Sequence, residues 1–85
     1  MTGIYRFINH AVRLRLMYHN RIWSLNDQAH SFADIPAVQL AYSYDGWYWH
    51  GNRHRAHGLP AIIWLNGAVE YYMYGIKVNQ DESIS

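Results

Sequence analysis

The chain has no cysteine, so no disulfide can hold it together and no thiolate can act as nucleophile or metal ligand. It is poor in acids, with six against seven lysines and arginines, and the net charge is +1. That balance argues against a DNA mimic and lends little weight to a nucleic-acid binder. Proline occurs only twice, as Pro36 and Pro60. A proline cannot donate to a ladder, so each is expected at a strand start. No apolar run reaches the roughly 20 residues of a membrane-spanning helix. The N-terminus lacks the apolar stretch and small-residue cleavage site of a secretory signal, so a cytoplasmic protein is expected. Eighty-five residues make one domain, small enough to need a staple. With disulfides excluded, metal or oligomerisation is left.

Aromatic residues are plentiful, with eight Tyr and four Trp. Their spacing carries the main signal. Trp23, Trp47 and Tyr71 stand 24 residues apart in turn. The same step of 24 separates His30 from His54, Pro36 from Pro60, Ala37 from Ala61 and Val38 from Ile62. Such an echo predicts stacked similar units. Stacked units present surfaces, so binding is expected before catalysis.

Turn chemistry predicts strands. Asn66-Gly67 suits a two-residue type I′ turn between 61–65 and 68–74. Gly51-Asn52 reads as a second hairpin turn, Asn26-Asp27 as its counterpart in the first unit, and Tyr74-Gly75-Ile76 as the start of a third. The fold class expected is mainly β, an antiparallel meander with about two strands per unit. Residues 1–20 fit two patterns. Ile4, Phe7, Ile8, Ala11, Leu14 and Tyr18 trace a helix face, whereas Val12, Leu14, Leu16 and Tyr18 alternate with Arg13 and Arg15 as in a strand. The reading adopted is a short helix to about Ala11, then a strand. The organisation expected is an arginine-rich segment 1–20 packing on the sheet, a repeat sheet at 21–79, and a disordered tail at 80–85. In Ala61–Leu65 and Tyr71–Tyr74 both faces are apolar, where one wet face would demand alternation. Something must cover the second face: the N-terminal segment in part, and a second copy or a partner for the rest.

The second unit, WYWHGNRHRAHGLPAIIWLNG over residues 47–67, resembles the repeats of MORN-variant proteins, particularly those of small phage-encoded proteins. Trp47, Tyr48, Gly51, His54, Arg55, Gly58, Pro60 and Ala61 match the pattern, and Leu59 is an extra residue before the proline. The first unit keeps Trp23, His30, Pro36 and Ala37, with Ser31 and Asp34 in place of Arg and Gly. The third keeps Tyr71, Tyr72 and Gly75. The resemblance covers residues 22–78 and implies antiparallel hairpins in one elongated sheet. It implies a platform facing a protein or a membrane, with no shared catalytic site. The phage examples imply a small accessory protein acting on a host factor.

Several clusters of residues bear on function. His50, His54 and His57 lie close together, but zinc needs three or four ligands and this unit has no acid after Asp45. His54 also belongs to the repeat, where a structural hydrogen bond explains it, so no metal and no cofactor are expected. Tyr48, Trp49, His50, Arg53 and Arg55 form a basic aromatic tip, with Tyr72 and Tyr74 beside it. Trp, Tyr and Arg dominate protein hot spots, and these seven are the expected protein contacts. The same side chains suit single-stranded nucleic acid, and Trp47 and Tyr48 also suit a core between units. Arg6, Arg13, Arg15 and Arg21, in a stretch without acids, are candidates for phosphate, against the plainer reading of a solvated strand face. Ser24, Ser31 and Ser43 lack a nucleophile-elbow setting, and adjacency of Asp34, His30 and Ser31 does not make a triad. No enzyme is expected. The reading is a protein-binding module, also expected to be a homodimer, that blocks or redirects a host defence, nuclease or transcription component. The runner-up is a nucleic-acid binder using the arginine-rich segment and the aromatic patch.

Overall fold

A computed structural model describes residues 4–7 and 11–84, with side chains over 11–82. The chain runs as β1 (Ile4–Phe7), β2 (Val12–Met17), β3 (Asn20–Leu25), β4 (Gln28–Ala29), β5 (Val38–Leu40), β6 (Tyr44–Gly46), β7 (Tyr48–Trp49), β8 (Asn52–Arg53), β9 (Ile62–Trp64), β10 (Val69–Met73) and β11 (Ile76–Val78). A 3-10 helix, η1, closes it at Gln80–Ile84. The strands form an antiparallel sheet in the order β1-β2-β3-β5-β6-β9-β10-β11, with β4 beside β3 and a separate β7-β8 pair. The fold class is the mainly β meander that the turns and repeat imply.

Among the described residues no N-terminal helix is found. Ile4–Phe7 is a strand, paired Ile4 to Leu16 and Phe7 to Arg13. Its apolar residues fit either period, and pairing with the alternating β2 selects the extended form. Residues 4–7 and 12–17 thus extend the sheet sideways instead of packing on a face. The parts of the expected helix at residues 1–3 and 8–10 lie outside the described residues. The tail expected to be disordered forms η1 beside β10.

The 24-residue step recurs in the backbone hydrogen bonds. Trp23 N donates to Ala37 O and Trp47 N to Ala61 O, each at 2.7 Å. Gly51 N reaches Ala29 O at 2.8 Å, and Gly75 N reaches Arg53 O at 2.7 Å. Ser31 N reaches Tyr48 O, and Arg55 N reaches Tyr72 O. Each unit therefore turns back in a short hairpin after its Trp or Tyr, and the second and third hairpins each lie against the one before.

The hairpin tips are Asn26-Asp27, His50-Gly51 and Tyr74-Gly75, all with positive φ at both residues. That is the type I′ geometry, whose twist matches the flanking strands. Gly51-Asn52 is thus corrected by one residue. Glycine takes the second position, and His50 tolerates φ 46 at the first. Asn66-Gly67 is corrected too. Only Gly67 has positive φ, and Gly67 N donates to Trp64 O while Trp64 N donates to Ala68 O. This is a three-residue loop with glycine at the left-handed position after a tight turn. Pro36 and Pro60 stand two residues ahead of β5 and β9, at the strand starts as expected.

The core is thin. Ala37, Val38, Trp47, Ala61 and Ile62 are its buried apolar residues among those described. The second face of the sheet is covered over the repeat tryptophans by the chain's own return loops. Phe32 meets Trp23 edge-on at 6.0 Å, and the Arg55 guanidinium lies 3.7 Å over the Trp47 ring.

Candidate functional site

Successive residues of a strand point to opposite faces. Tyr48 and Trp49 are neighbours in β7, so the basic aromatic tip divides between the two sides of its hairpin.

On one side Tyr48 joins Tyr44, Arg53, Trp64, Glu70 and Tyr72. Gly46 makes this possible, because a Cβ there would stand 2.8 Å from both the Tyr44 and Tyr48 rings. The two tyrosine hydroxyls meet at 3.2 Å. Arg53 Nη1 donates to the Tyr72 hydroxyl at 3.2 Å, and that hydroxyl donates to Glu70 Oε1 at 2.8 Å. Trp64 Nε1 donates to Glu70 Oε2 at 2.8 Å, and Lys77 lies 3.9 Å from Oε1. Burial, then the bond to Tyr48, pushes the Tyr44 hydroxyl up to about 12. Hydrogen bonding to Tyr48 holds Arg53 above its ordinary value. The bonds from Tyr72 and Trp64 hold Glu70 below the usual carboxylate range. This network satisfies its own charges. Arg53, Tyr48 and Tyr72 hold the hairpin as well as presenting a surface.

On the other side lies a ladder of rings. His30 packs against Phe32, Trp49 and His50, with centroids 4.9, 4.8 and 4.8 Å away. Trp49 also meets His54 at 6.4 Å, and His54 stacks on Tyr74 at 4.1 Å. The two histidines do the same job 24 residues apart. His30 Nδ1 accepts from His50 N at 3.1 Å, and His54 Nδ1 accepts from Tyr74 N at 3.0 Å. An accepting Nδ1 places the neutral ring's proton on Nε2. Burial lowers the pKa of both, and in His30 the charge of His50 adds to it. Trp49 and Tyr74 remain 46% and 60% exposed although their rings are held from below. A cleft of about 290 Å³ runs alongside, lined by Asp34, Trp47, Trp49, His54, Arg55 and Leu59 among others.

Arg55, expected as a contact, is committed to the scaffold. Its Nε and Nη2 grip both Asp34 oxygens at 3.0 Å, and Nη1 donates to Pro60 O at 3.2 Å. Asp34 O in turn accepts from Trp47 Nε1 at 2.9 Å. Arg55 thus ties two consecutive return loops together. In the first unit Ser31 stands at the equivalent position, and its Oγ accepts from Tyr48 N.

The N-terminal arginines do not form one patch. Arg13 is paired with Asp27 at 2.8 Å. Arg15 Nη2 reaches Met17 Sδ. Arg21 opposes Leu16, which places it on the face opposite Arg15. Arg6 pairs with Leu14 through the backbone, and its side chain lies outside the described residues. Among the described residues, His50, His54 and His57 belong to no group of three or more side chains able to hold a metal.

Sequence reasoning passed over His30, Tyr44, Trp64 and Glu70. The step from His30 to His54 was the available signal for the first. Nothing in spacing marked the other three. No described helix is long and apolar enough to cross a membrane. No protein-family model, curated protein or solved structure matches this chain.

Proposed function

We propose that the protein is a non-enzymatic binding module that engages another protein through the ring-ladder face, with Trp49, His50 and Tyr74 as the contacts. One observation carries this. Trp49 and Tyr74 are large, exposed and already fixed, since His30 and His54 pack against them. An aromatic held in place before binding loses little side-chain entropy on binding, which is what a hot spot needs. Tyr48, Arg53 and Tyr72 form a second, self-paired surface on the reverse side, and Arg55 is a support. The resemblance to small phage-encoded repeat proteins favours a host protein in the cytoplasm as partner, a defence, nuclease or transcription component that is blocked or redirected stoichiometrically.

The test is affinity capture from host lysate with the tagged chain and its Trp49→Ala variant, with circular dichroism confirming that both are folded. A protein captured by the parent and lost with Trp49→Ala supports the reading. A protein captured equally by both rejects this face. Repeating the capture across salt separates the nucleic-acid alternative. Binding that collapses between low and moderate salt marks phosphate contacts. The division of Arg15 and Arg21 between faces, and the pairing of Arg13 with Asp27, weigh against that alternative.

A further inference from the structure

The sheet ends at β11, and its outer side carries a pattern that the interior of the molecule explains. In a two-residue hairpin the residues flanking the turn exchange both backbone bonds, and bonded and non-bonded pairs then alternate. Met73 and Ile76 flank the Tyr74-Gly75 turn, and Tyr72 with Lys77 is the next pair. The Lys77 N–H and C=O therefore point away from β10, and so does the Asn79 N–H.

Two 24-residue steps earlier stand Ala29 and Ser31, and one step earlier Arg53 and Arg55. At those positions the outward groups are filled by the next unit. Ala29 O and Arg53 O accept from the tip glycines Gly51 and Gly75, and Ser31 N and Arg55 N donate to Tyr48 O and Tyr72 O. Gln28 and Asn52 lie against those same glycines. Their third-unit counterpart is Ile76, apolar and 69% exposed. No described strand follows β11 in the sheet order. Instead Glu82 folds back on Asn79. Its Oε1 accepts from Asn79 N at 3.1 Å, and its backbone N donates to Asn79 O at 3.0 Å.

We propose that β11 is a latched dimerisation edge, taken by β11 of a second copy when Glu82 releases Asn79. The donor and acceptor pattern is self-complementary about Val78. A two-fold axis there sets Val78 opposite its own copy as a non-bonded pair. Asn79 N then reaches the partner's Lys77 O and Lys77 N reaches the partner's Asn79 O, with the symmetry mates completing a ring of bonds. The thin core favours such pairing, because a small domain without other staples gains from burying an edge in an oligomer. A protein edge with free ladder groups is a template for pairing, and a covering segment is the usual guard. Glu82, bonded to Asn79, is that guard. The proposal is independent of the Trp49 face.

The experiment is sedimentation velocity over a range of concentrations on the full chain, Glu82→Ala, and Glu82→Ala with Asn79→Pro. Proline at 79 removes an N–H that points away from β10, so the β10–β11 ladder stays intact. Glu82→Ala is expected to dimerise about tenfold more tightly than the parent, the effect of one lost competing hydrogen bond. Adding Asn79→Pro is expected to return it to monomer with the circular dichroism spectrum unchanged. If the parent already dimerises too tightly to resolve, Asn79→Pro alone decides. Glu82→Ala remaining monomeric at every concentration overturns the proposal. So does a dimer that Asn79→Pro leaves intact, since that dimer would use β1 or the ring ladder instead.

Discussion

His30 and His54 each complete a junction by accepting a backbone N–H, and only the neutral ring can do so. Their folded pKa values lie below the ordinary histidine value of 6.5. The unfolded chain therefore binds protons that the folded chain refuses. The stabilisation is full above about pH 7 and is lost as pH falls below the unfolded value near 6.5, with a limiting slope of about 1.4 kcal/mol per histidine per pH unit. Urea denaturation at several pH values between 5 and 8 should show this fall. The double variant His30→Asn, His54→Asn keeps an acceptor without a titrating ring, and should flatten it. Gly46 makes a second prediction at this scale. Alanine there forces the Tyr44 and Tyr48 rings apart. Tyr44, which titrates at about 12, should then move back toward 10.0, as read by tyrosinate absorbance. An unshifted Tyr44 would mean that the rings accommodate the methyl group.

The units hold each other through their return loops, and Arg55 is the tie between the first loop and the second. Arg55→Ala should cost about 2 kcal/mol, since a bidentate ion pair and a cation–π contact go together. Arg55→Lys should recover little of it, because a point charge cannot match the planar fork. Thermal denaturation of the two variants checks both statements. The units themselves were legible in the sequence, because the 24-residue step and the turn residues are local signals. Asn26-Asp27 was placed where it forms, and of Tyr74-Gly75-Ile76 the first two residues form the turn while Ile76 begins β11. The middle turn was misplaced by one residue, because Gly51 invites pairing with Asn52 when the register is unknown. The tie was not legible. Arg55 looked like a contact residue until folding brought Asp34, 21 positions earlier, beneath it. For the same reason Ile4–Phe7 read as helical, since its pairing with β2 is not written in its own residues and composition alone satisfied both periods.

As a whole the molecule is a slab of 38 × 28 × 18 Å, with a radius of gyration of 13.0 Å. A compact chain of this length would have about 12 Å. Flatness leaves few side chains fully enclosed, and Ile62 is the largest of them. Ile62→Ala should cost about 2–5 kcal/mol. That approaches the whole stability of a small domain, so the variant should be largely unfolded by near-ultraviolet circular dichroism at 37 °C, roughly the temperature at which such losses tell. A cooperative native transition retained at that temperature would mean that the stacked hairpins, and not the enclosed residues, carry the fold. The sequence signalled this shape through its doubly apolar strands. It did not signal that the chain covers its own repeat tryptophans, because Phe32 and Arg55 reach Trp23 and Trp47 only after the return loops close.

The two junctions between units are the same junction repeated, and each has a direction. A hairpin gives its turn N–H groups backward and receives the next turn on its far side. Residue 54 is the image of residue 30, so a second copy of residues 31–54 inserted after His54 would meet both neighbours through the same histidine and backbone bonds. Each such insertion adds two strands to the long sheet, with a two-stranded hairpin beside them, and moves β11 away from β1 by about 10 Å. The separation of the molecule's two ends is therefore quantised. It can be lengthened in fixed increments, like notches on a ruler, with the chemistry at either end untouched.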